Sequence, residues 1–456
     1  MENKKYSLAD TEKFKELAAH VGGERGIRLS SALADYYERI YSKELPEWFA
    51  RLYDKKIGGF YFSNSARDND SLIYKGMTFG LLPDADSTWQ TLITLPKLGL
   101  TFGKKYSKFL PEETKVKIIA FLKGLQDTDG YFYHPQFDRK RNEEKIERRS
   151  RDSSRAVAVI TALGALPTYD TPTGIIGDGI LANGERVKKP AAPSNAEESK
   201  AEKSQAFYAP FMKDKESFLE HLSSLKLTNN SYSTGSHFIT QQPEMVYRDK
   251  LLKKEGADYT LYGLLTDWLT ESQLENGIWD EKIDYGSISG IMKICRLYSA
   301  ANVMIPRAEK TVRAAISVIT SDEEVQSITD IFNPWVATNV ILSDLCKIGG
   351  EEGKKIAECI REELIDNAEA LIGATADKLS QFKRADGAFS YPKDASGGWN
   401  MGMPLGIKGL DEGDINATHL AVFAVDNIYS ALGLEKFYIP PYGNTDAQKV
   451  LDIITG

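Results

Sequence analysis

Four aspartates have the residue type and the setting that acid-base chemistry requires, because each comes just before an apolar stretch with helical spacing. They are Asp84, Asp86, Asp152 and Asp414. A pair of carboxyl groups can hydrolyse a glycosidic bond when one protonates the leaving oxygen and the other activates water or attacks carbon. Burial and mutual repulsion would have to raise the pKa of one of them. Asp86 and Asp152 are the first choice, since the sequence around them is most complete.

The same positions also suit helix capping, which is the simpler explanation for any single aspartate. Asp and Ser side chains accept hydrogen bonds from the free amides of a first helical turn, and the helix dipole favours negative charge there. Asp284 and Asn333 fit the same description in two later stretches. A catalytic role is therefore a hypothesis about the set, and it requires that several of these side chains meet at one site.

Aromatic and basic side chains near these positions would complete a groove for a sugar chain. Six residues close to the acidic positions could contact the substrate: Tyr131, Trp279, Asp284, Tyr285, Trp335 and Trp399. Arg151, within the run RRSRDSSR, could clamp a carboxylate or sulfate on an acidic sugar. A solvated basic loop that balances Glu143, Glu144 and Glu147 would have the same composition.

Two histidines keep an elimination mechanism open as an alternative to hydrolysis. A lyase removes the proton beside a neutralised carboxylate, and a Tyr or His side chain can act as the base. His237, in the sequence GSHF, and His134, in YFYHP, are the candidates. Each of them could equally be a structural residue that forms hydrogen bonds.

Composition and motifs argue against several other classes of protein. The formal net charge of -8 and the pI near 5.5 offer no basic surface for nucleic acid. The sequence has no phosphate-binding loop, dinucleotide fingerprint or Cys/His zinc cluster, so no cofactor or metal is expected. The charged N-terminal stretch lacks the apolar core of a signal peptide, and Lys293 and Arg296 interrupt a long apolar stretch. A cytoplasmic protein without a membrane span is predicted.

The candidate residues belong to a repeated sequence unit. Its first copy, Gly58–Leu95, consists of glycines with aromatics, a polar loop, Asp with Ser or Thr, and an apolar helix closed by Pro96. In the second copy, Asp129–Phe132 supplies the aromatic turn and Asp152–Ser154 precedes the helix. That helix is predicted from Ala156 to Leu166, and its apolar residues on nearly every side predict that it is buried all round.

Later units are predicted at Gly277–Trp279, at Phe332 and at Arg384–Phe389, and a blurred one reads as a polar-aromatic loop over Ser231–Phe238. Periodicity disappears between residues 168 and 205, which predicts a mobile loop insertion or an active-site lid. Otherwise residues 1–456 are predicted to form a single domain. Five clear units and a blurred one predict about twelve helices stacked in a ring, with the acidic positions converging on one mouth.

The phrases LQDTDGYFYHP, ENGIWD and RADGAFSYP resemble the Gln/Asp-Gly-aromatic repeats of the α/α-toroid superfamily. This superfamily includes protein prenyltransferases, squalene-cyclase-like enzymes and, more loosely, many (α/α)6 glycoside hydrolases and polysaccharide lyases. The resemblance implies a toroid but does not choose among these chemistries. The segment Pro83–Thr88 also looks like the acidic DxDD-type motif of class II terpene cyclases, although Ser87 stands where the last Asp belongs.

Together these observations predict an all-α, (α/α)6-like toroid that cleaves an acidic or neutral oligosaccharide, with glycoside hydrolysis as the first expectation. Elimination by an oligosaccharide lyase is the second. A terpenoid-cyclase-like enzyme, which would need an apolar aromatic cavity, and a non-catalytic repeat scaffold, which would need no pair of carboxylates within catalytic range, remain as alternatives.

Overall fold

The computed structural model describes residues 8–136, 146–187 and 208–456. These residues are mostly helical, with nineteen α-helices and two small two-stranded sheets, which confirms the predicted all-α class. No helix in the described ranges combines the length and the apolar character needed to cross a membrane. Residues 188–205 of the predicted insertion lie outside the described residues. Residues 168–187 contact the end of α7 (Glu112–Gly124), where Lys123 donates to Asp178 at 2.8 Å.

The first seven helices are α1 (Glu12–Val21), α2 (Gly23–Ile40), α3 (Leu45–Arg51), α4 (Asn64–Asp68), α5 (Ala85–Lys97), α6 (Tyr106–Phe109) and α7 (Glu112–Gly124). The next six are α8 (Ile146–Ala162), α9 (Lys215–Ser224), α10 (Ser231–Thr240), α11 (Gln242–Lys254), α12 (Leu261–Glu271) and α13 (Tyr285–Ala301). The last six are α14 (Ala308–Ser317), α15 (Thr329–Ile348), α16 (Gly350–Asp366), α17 (Ala368–Ser380), α18 (Ile415–Ala431) and α19 (Asn444–Thr455).

Short 3-10 helices span Leu8–Asp10, Pro210–Met212 and Glu435–Phe437. The two sheets are antiparallel hairpins, formed by β1 (Ser71–Tyr74) with β2 (Met77–Gly80) and by β3 (Trp399–Asn400) with β4 (Met403–Pro404).

Six helices contact one another in a series that returns to its start. α5 packs against α8, α8 against α10, and α10 against α13; α13 then packs against α15, α15 against α18, and α18 against α5. Other helices pack onto members of this series, as α7 does onto α8 and α14 does onto α15. α18 supplies side chains to both large apolar clusters of the interior, with Ala421 in one and Val422 in the other.

Four of the predicted repeat units share the same turn. Its glycine has a positive φ angle in each case, at Gly58, Gly130, Gly277 and Gly387. L-residues with a side chain rarely adopt such φ values, so glycine suits this position. At Gly130 an added Cβ would also lie 2.0 Å from the carbonyl oxygen of Asp170. The glycine-aromatic pattern thus has a structural basis.

A hydrogen bond joins this turn to the helix that follows, and it shows which residues of the repeat units correspond. The amide of Phe60 donates to Thr88 at 3.0 Å, and the amide of Phe132 donates to Ser153 at 2.9 Å. Ser153 is therefore the counterpart of Thr88, and Asp152 is the counterpart of Ser87 rather than of Asp86. The order of residues in the sequence predicts instead that Asp152–Ser154 corresponds to Asp86–Thr88, and this alignment is wrong by one residue.

The helix that contains Asp152 begins earlier than predicted. α8 starts at Ile146, so Asp152 lies inside it instead of before it, and the helix ends at Ala162 rather than at Leu166. It is also not buried all round, because Thr161 and Ala162 are exposed. Charged residues before Asp152 hid the helix start in the sequence, but in the folded chain Arg148 and Arg151 have buried aspartate partners.

Two further elements also differ from the sequence prediction. The expected loop over Ser231–Phe238 is helix α10, and Asn333 is the fifth residue of α15, so it lies near the helix start but does not cap it. Ser, Thr and Gly are weak helix formers, but here small residues let α10 approach α13 closely. A Cβ on Gly235 would lie 2.6 Å from Cβ of Lys293, so tertiary packing explains why α10 is helical.

Candidate functional site

Helix α8 carries the charged side chains of the candidate site on one face. Arg148, Arg151, Asp152 and Arg155 are spaced by three or four residues, and such residues lie above one another on a helix. Arg148 and Asp152 are almost completely buried, and their side chains pair at 2.8 Å from Nε to Oδ2. The predicted solvated basic loop is therefore absent at these residues.

Helix α5 brings two aspartates to this face. Asp84 precedes α5 and caps it, accepting from the amide of Ser87 at 2.9 Å, while Asp86 lies in the first turn. Arg148 Nη2 lies 3.7 Å from Asp84 Oδ1, and Arg151 Nε donates to Asp86 Oδ2 at 2.7 Å.

Arg155 Nε lies 3.5 Å from Asp86 Oδ1, so two guanidinium groups approach this one carboxylate. The aspartate-arginine cluster is defined as Asp84, Asp86, Arg148, Arg151, Asp152 and Arg155.

Two elements distant in sequence complete the cluster. The hairpin β3–β4 places Asn400 where its side-chain amide donates to Asp86 at 3.2 Å and its carbonyl accepts from Arg148 at 3.1 Å. From α18, the side-chain oxygen of Asn416 accepts from Arg151 at 3.4 Å and from Gln90 at 2.9 Å. Neither asparagine was a candidate from the sequence, because only the packing of α18 and of the hairpin against α5 and α8 brings them here.

The two preferred catalytic candidates have opposite pKa shifts. Burial raises the pKa of Asp152 to about 7 in spite of its ion pair with Arg148. Burial acts in the same direction on Asp86, but the nearby guanidinium groups, that of Arg151 foremost, outweigh it and lower the pKa of Asp86 below its ordinary value. Near neutral pH, Asp152 is therefore partly protonated while Asp86 is ionised.

Several buried polar atoms at this site form no hydrogen bond with any described residue. They are Asp86 Oδ1, Asp152 Oδ1, Arg148 Nη2, Arg155 Nε and His134 Nε2. Native structures contain few such atoms, and each one calls for an explanation such as a catalytic or ligand-binding role. Their concentration in one charged network makes the aspartate-arginine cluster the best candidate for a functional site.

Helix α13 adds two cations that the sequence prediction did not include. Burial, followed by the positive charges of Arg151, Arg296 and Arg155, lowers the pKa of Lys293 to about 7. Arg296 is exposed, yet the surrounding protein lowers its pKa as well. In the sequence these residues are two charges within an apolar stretch, a pattern that argues against a membrane span but does not by itself indicate a binding site.

The other two catalytic candidates lie apart from the cluster's ion pairs. Asp414 is buried and caps α18, accepting from the amide of Ala417 at 2.8 Å, and burial raises its pKa to about 7. His237 lies in α10, where its Nε2 is 3.0 Å from His221 Nε2 and its Nδ1 is 3.1 Å from Glu147. The structure thus brings together Asp84, Asp86 and Asp152.

Among the predicted substrate-binding residues, three lie on or beside α8. Arg151 belongs to the cluster. Tyr131 stacks against Arg149, whose guanidinium carbon is 3.8 Å from the ring centre. His134 is buried, and burial together with the charge of Arg148 lowers its pKa well below the usual value.

The remaining predicted contacts occupy different environments. Trp279 and Trp335 are fully buried, and their indole nitrogens donate to Leu269 and Thr375. Asp284 caps α13 in a capping box, and the hydroxyl of the adjacent Tyr285 accepts from Lys378. Trp399 is 51% exposed at the start of β3, next to Asn400, so it is the one large aromatic of this set that is open to solvent.

In the parts of the chain that the structure describes, no three His, Cys, Asp or Glu side chains are grouped so that they could hold a metal ion. No family model matches the sequence, and no curated protein matches it either. The functional proposal therefore rests on the geometry and electrostatics of the candidate site.

Proposed function

We propose that this protein hydrolyses glycosidic bonds in an oligosaccharide, with Asp152 as the general acid and Asp86 as the ionised carboxylate. The observation that carries the proposal is the opposite pKa shift of these two buried residues within one network. Glycoside hydrolysis needs this division, because one carboxyl must donate a proton while the other stays negative.

We further propose that the helices form an α/α toroid. The series of contacts through α5, α8, α10, α13, α15 and α18, which returns to α5, supports this arrangement. The shared turn of the repeat units supports it as well. The start of α5, the N-terminal half of α8 and the hairpin β3–β4 would then lie at the mouth of the ring, where an extended sugar chain could enter.

In the proposed reaction, Asp152 donates its proton to the oxygen that leaves as the glycosidic bond breaks. Asp86 faces the positive charge that develops on the sugar ring, and it activates water or attacks carbon. Arg151 and Arg155 keep Asp86 ionised. Asn400 donates to the same carboxylate and fixes its orientation.

The site gives less support to the alternatives. For β-elimination, His134 Nδ1 already accepts from the amide of Gln136, so the neutral ring carries its proton on Nε2 and that nitrogen cannot act as a base. Burial raises the pKa of Tyr131, so its hydroxyl stays protonated near neutral pH and has no phenolate form available to accept the proton. A terpenoid cyclase needs an apolar lining, whereas six charged residues make up this cluster.

The test is a panel of acidic and neutral oligosaccharides with two readouts, new reducing ends and the absorbance of unsaturated products. Reducing ends without absorbance would support hydrolysis, whereas both signals would replace it with β-elimination. Asp152→Asn should lower the rate by at least about a hundredfold, since it removes the general acid. Asp426→Asn, which breaks an ion pair with Lys97 away from the cluster, is the matched control and should retain activity.

The pH profile provides a second check on the assignment. Activity should fall as the pH rises through about 7, because Asp152 loses the proton that it must donate. A panel without any cleavage, or an Asp152→Asn variant as active as the Asp426→Asn control, would overturn the proposed function.

A further inference from the structure

Four basic side chains from two helices influence one another beside the aspartate-arginine cluster. α8 contributes Arg151 and Arg155. α13 contributes Lys293 and Arg296, which are three residues apart and therefore share a helix face. Both helices pack against α10, and the charges of Arg151 and Arg155 act on Lys293 across this packing. We refer to these four residues as the cationic group.

The cationic group has more positive charge than its surroundings balance. Lys293 and Arg296 have no ion-pair partner among the described residues, and the nearest aromatic contact of Lys293 places Nζ 5.6 Å from the centre of the Tyr232 ring. Among the described residues, Asp86 is the one carboxylate in ion-pair contact with this group, through Arg151 and Arg155. Placing unpaired charges together in a protein is unfavourable, so such a surplus suggests an anionic ligand.

The cationic group can be reached from solvent even though protein surrounds it. Arg296 is exposed, and Lys293 and Arg155 are partly exposed. The surrounding protein nevertheless lowers the pKa of all three. Solvent therefore reaches these cations while protein surrounds them, and electrostatic interactions with a ligand are stronger in such a setting than in bulk water.

We propose that the cationic group binds a negatively charged substituent of the substrate, namely a carboxylate, sulfate or phosphate ester carried by a sugar. Guanidinium groups suit these planar or tetrahedral oxyanions because they present paired donors in a fixed fork. The proposal narrows the proposed function to acidic oligosaccharides, and in that respect rests on it, but anion binding itself can be tested without any cleavage.

Two contacts predict where the charged sugar lies. Arg151 and Arg155 both approach Asp86, so the anionic substituent would belong to a sugar unit next to the bond that is cleaved. Arg155 is stacked against Trp89, with its guanidinium carbon 3.5 Å from the ring centre. This stacking fixes the plane of the guanidinium before the ligand arrives, which lowers the entropy lost on binding.

The experiment is calorimetric titration of the full chain with D-glucuronate, glucose 6-sulfate, glucose 6-phosphate and uncharged glucose. At least one of the anions should bind at concentrations where glucose does not, and the strongest binder identifies the substituent. Equal binding of glucose and all three anions, or no binding of any anion, would overturn the proposal.

The pH dependence of anion affinity tests the role of Lys293, because a lysine with a purely structural role would not make the affinity depend on pH. The charged groups that act on Lys293 are Arg151 and Arg155 from α8 and Arg296 from its own helix, while α10 presents Tyr232. An anion prefers protonated Lys293, so affinity should weaken as the pH rises above about 7, by up to about tenfold per unit. Proton uptake on binding, measured in buffers of different ionisation enthalpy, should accompany this change.

Lys293→Met should abolish both the pH dependence and the proton uptake, whereas Lys282→Met, at an exposed lysine, should leave them unchanged. Arg296→Gln alters an exposed side chain and should fold normally while weakening anion binding about tenfold, so it covers the case in which Lys293→Met does not fold. Unchanged anion affinity in Arg296→Gln, together with an unchanged pH profile in a folded Lys293→Met, would contradict the proposal.

Binding to the Asp152→Asn variant separates this proposal from the proposed function. That variant should bind the preferred anion as the unmodified protein does, although its cleavage rate is at least about a hundredfold lower. If the unmodified protein binds the anion but cleaves no oligosaccharide, the proposed hydrolysis is wrong and the anion site is supported. If the unmodified protein cleaves neutral oligosaccharides and binds no anion, hydrolysis is supported and the anion site is wrong.

Discussion

Helices α8 and α18 occupy equivalent places in the repeat but begin in different ways. Ser153 in α8 and Thr418 in α18 each accept a hydrogen bond from a phenylalanine amide in the preceding turn, at 2.9 and 3.0 Å. Four residues before Thr418, Asp414 caps the start of α18. Four residues before Ser153 the chain is already helical, because α8 begins at Ile146.

The additional N-terminal residues of α8 account for the chemistry of the site. They carry Arg148 into the interior, where it meets Asp84, and Arg151, two residues into the shared part of the helix, meets Asp86. α18 has a neutral residue, Asn416, at the position that corresponds to Arg151. The comparison indicates that the repeat supplies the scaffold, whereas the candidate function lies where one unit departs from it.

The largest expected effect comes from removing the cation that distinguishes α8. Arg148→Met leaves the buried carboxylates of Asp84 and Asp152 without their shared partner, which should lower the free energy of unfolding by about 3–5 kcal/mol. Urea unfolding at pH 7 measures the change. Arg51→Met is the matched control, because its ion pair with Glu47 is exposed and should contribute less than about 1 kcal/mol. Similar losses in both variants would show that the buried network has no special energetic role.

The second prediction concerns Asp414, the cap without a nearby cation among the described residues. Burial raises its pKa from 3.8 to about 7, so its folded-state proton stabilises the protein at low pH and this contribution is lost as the pH rises through about 7. Asp414→Asn keeps the capping oxygen but cannot ionise. The stability of the unmodified protein relative to this variant should therefore decrease between about pH 4 and pH 7, by about 4 kcal/mol at most. Parallel stability curves from thermal unfolding would contradict this.

The sequence was sufficient for the all-helical class, for the turn glycines and for the caps at Asp84, Asp284 and Asp414, because these features depend on neighbouring residues. It was insufficient for the start of α8. Whether a run of arginines before Asp152 forms a wet loop or a buried helix depends on which acids they meet, and those acids come from α5, distant in sequence.

The asparagines at the site show the same limit. Asn400 and Asn416 have no local pattern that marks them, and they reach Asp86 and Arg151 only through the packing of the hairpin β3–β4 and of α18. The spacing of Arg148, Arg151 and Arg155 was a usable signal, because it places all three on one helix face.

The third prediction tests whether the shared hydrogen bond is equally important in both helices. Ser153→Ala and Thr418→Val each leave a buried phenylalanine amide without its acceptor, which should cost about 1–3 kcal/mol in each case. Similar losses in urea unfolding would confirm that α8 and α18 share one scaffold in spite of their different starts. A loss confined to Thr418→Val would mean that the additional turns of α8 already hold it in place.

The smallest effect is expected at Asp284, which represents the repeat's cap without the charged network. Its side chain accepts from the amide of Ser287 at 2.9 Å and is partly exposed, so Asp284→Ala should lower the free energy of unfolding by about 1 kcal/mol. Asp84→Ala removes the same kind of cap but also leaves Arg148 with one buried partner fewer, and its cost should be at least twice as large. If chemical denaturation gave equal losses of unfolding free energy for the two variants, Asp84 would act only as a helix cap. Its ion pair with Arg148 would then add nothing to stability.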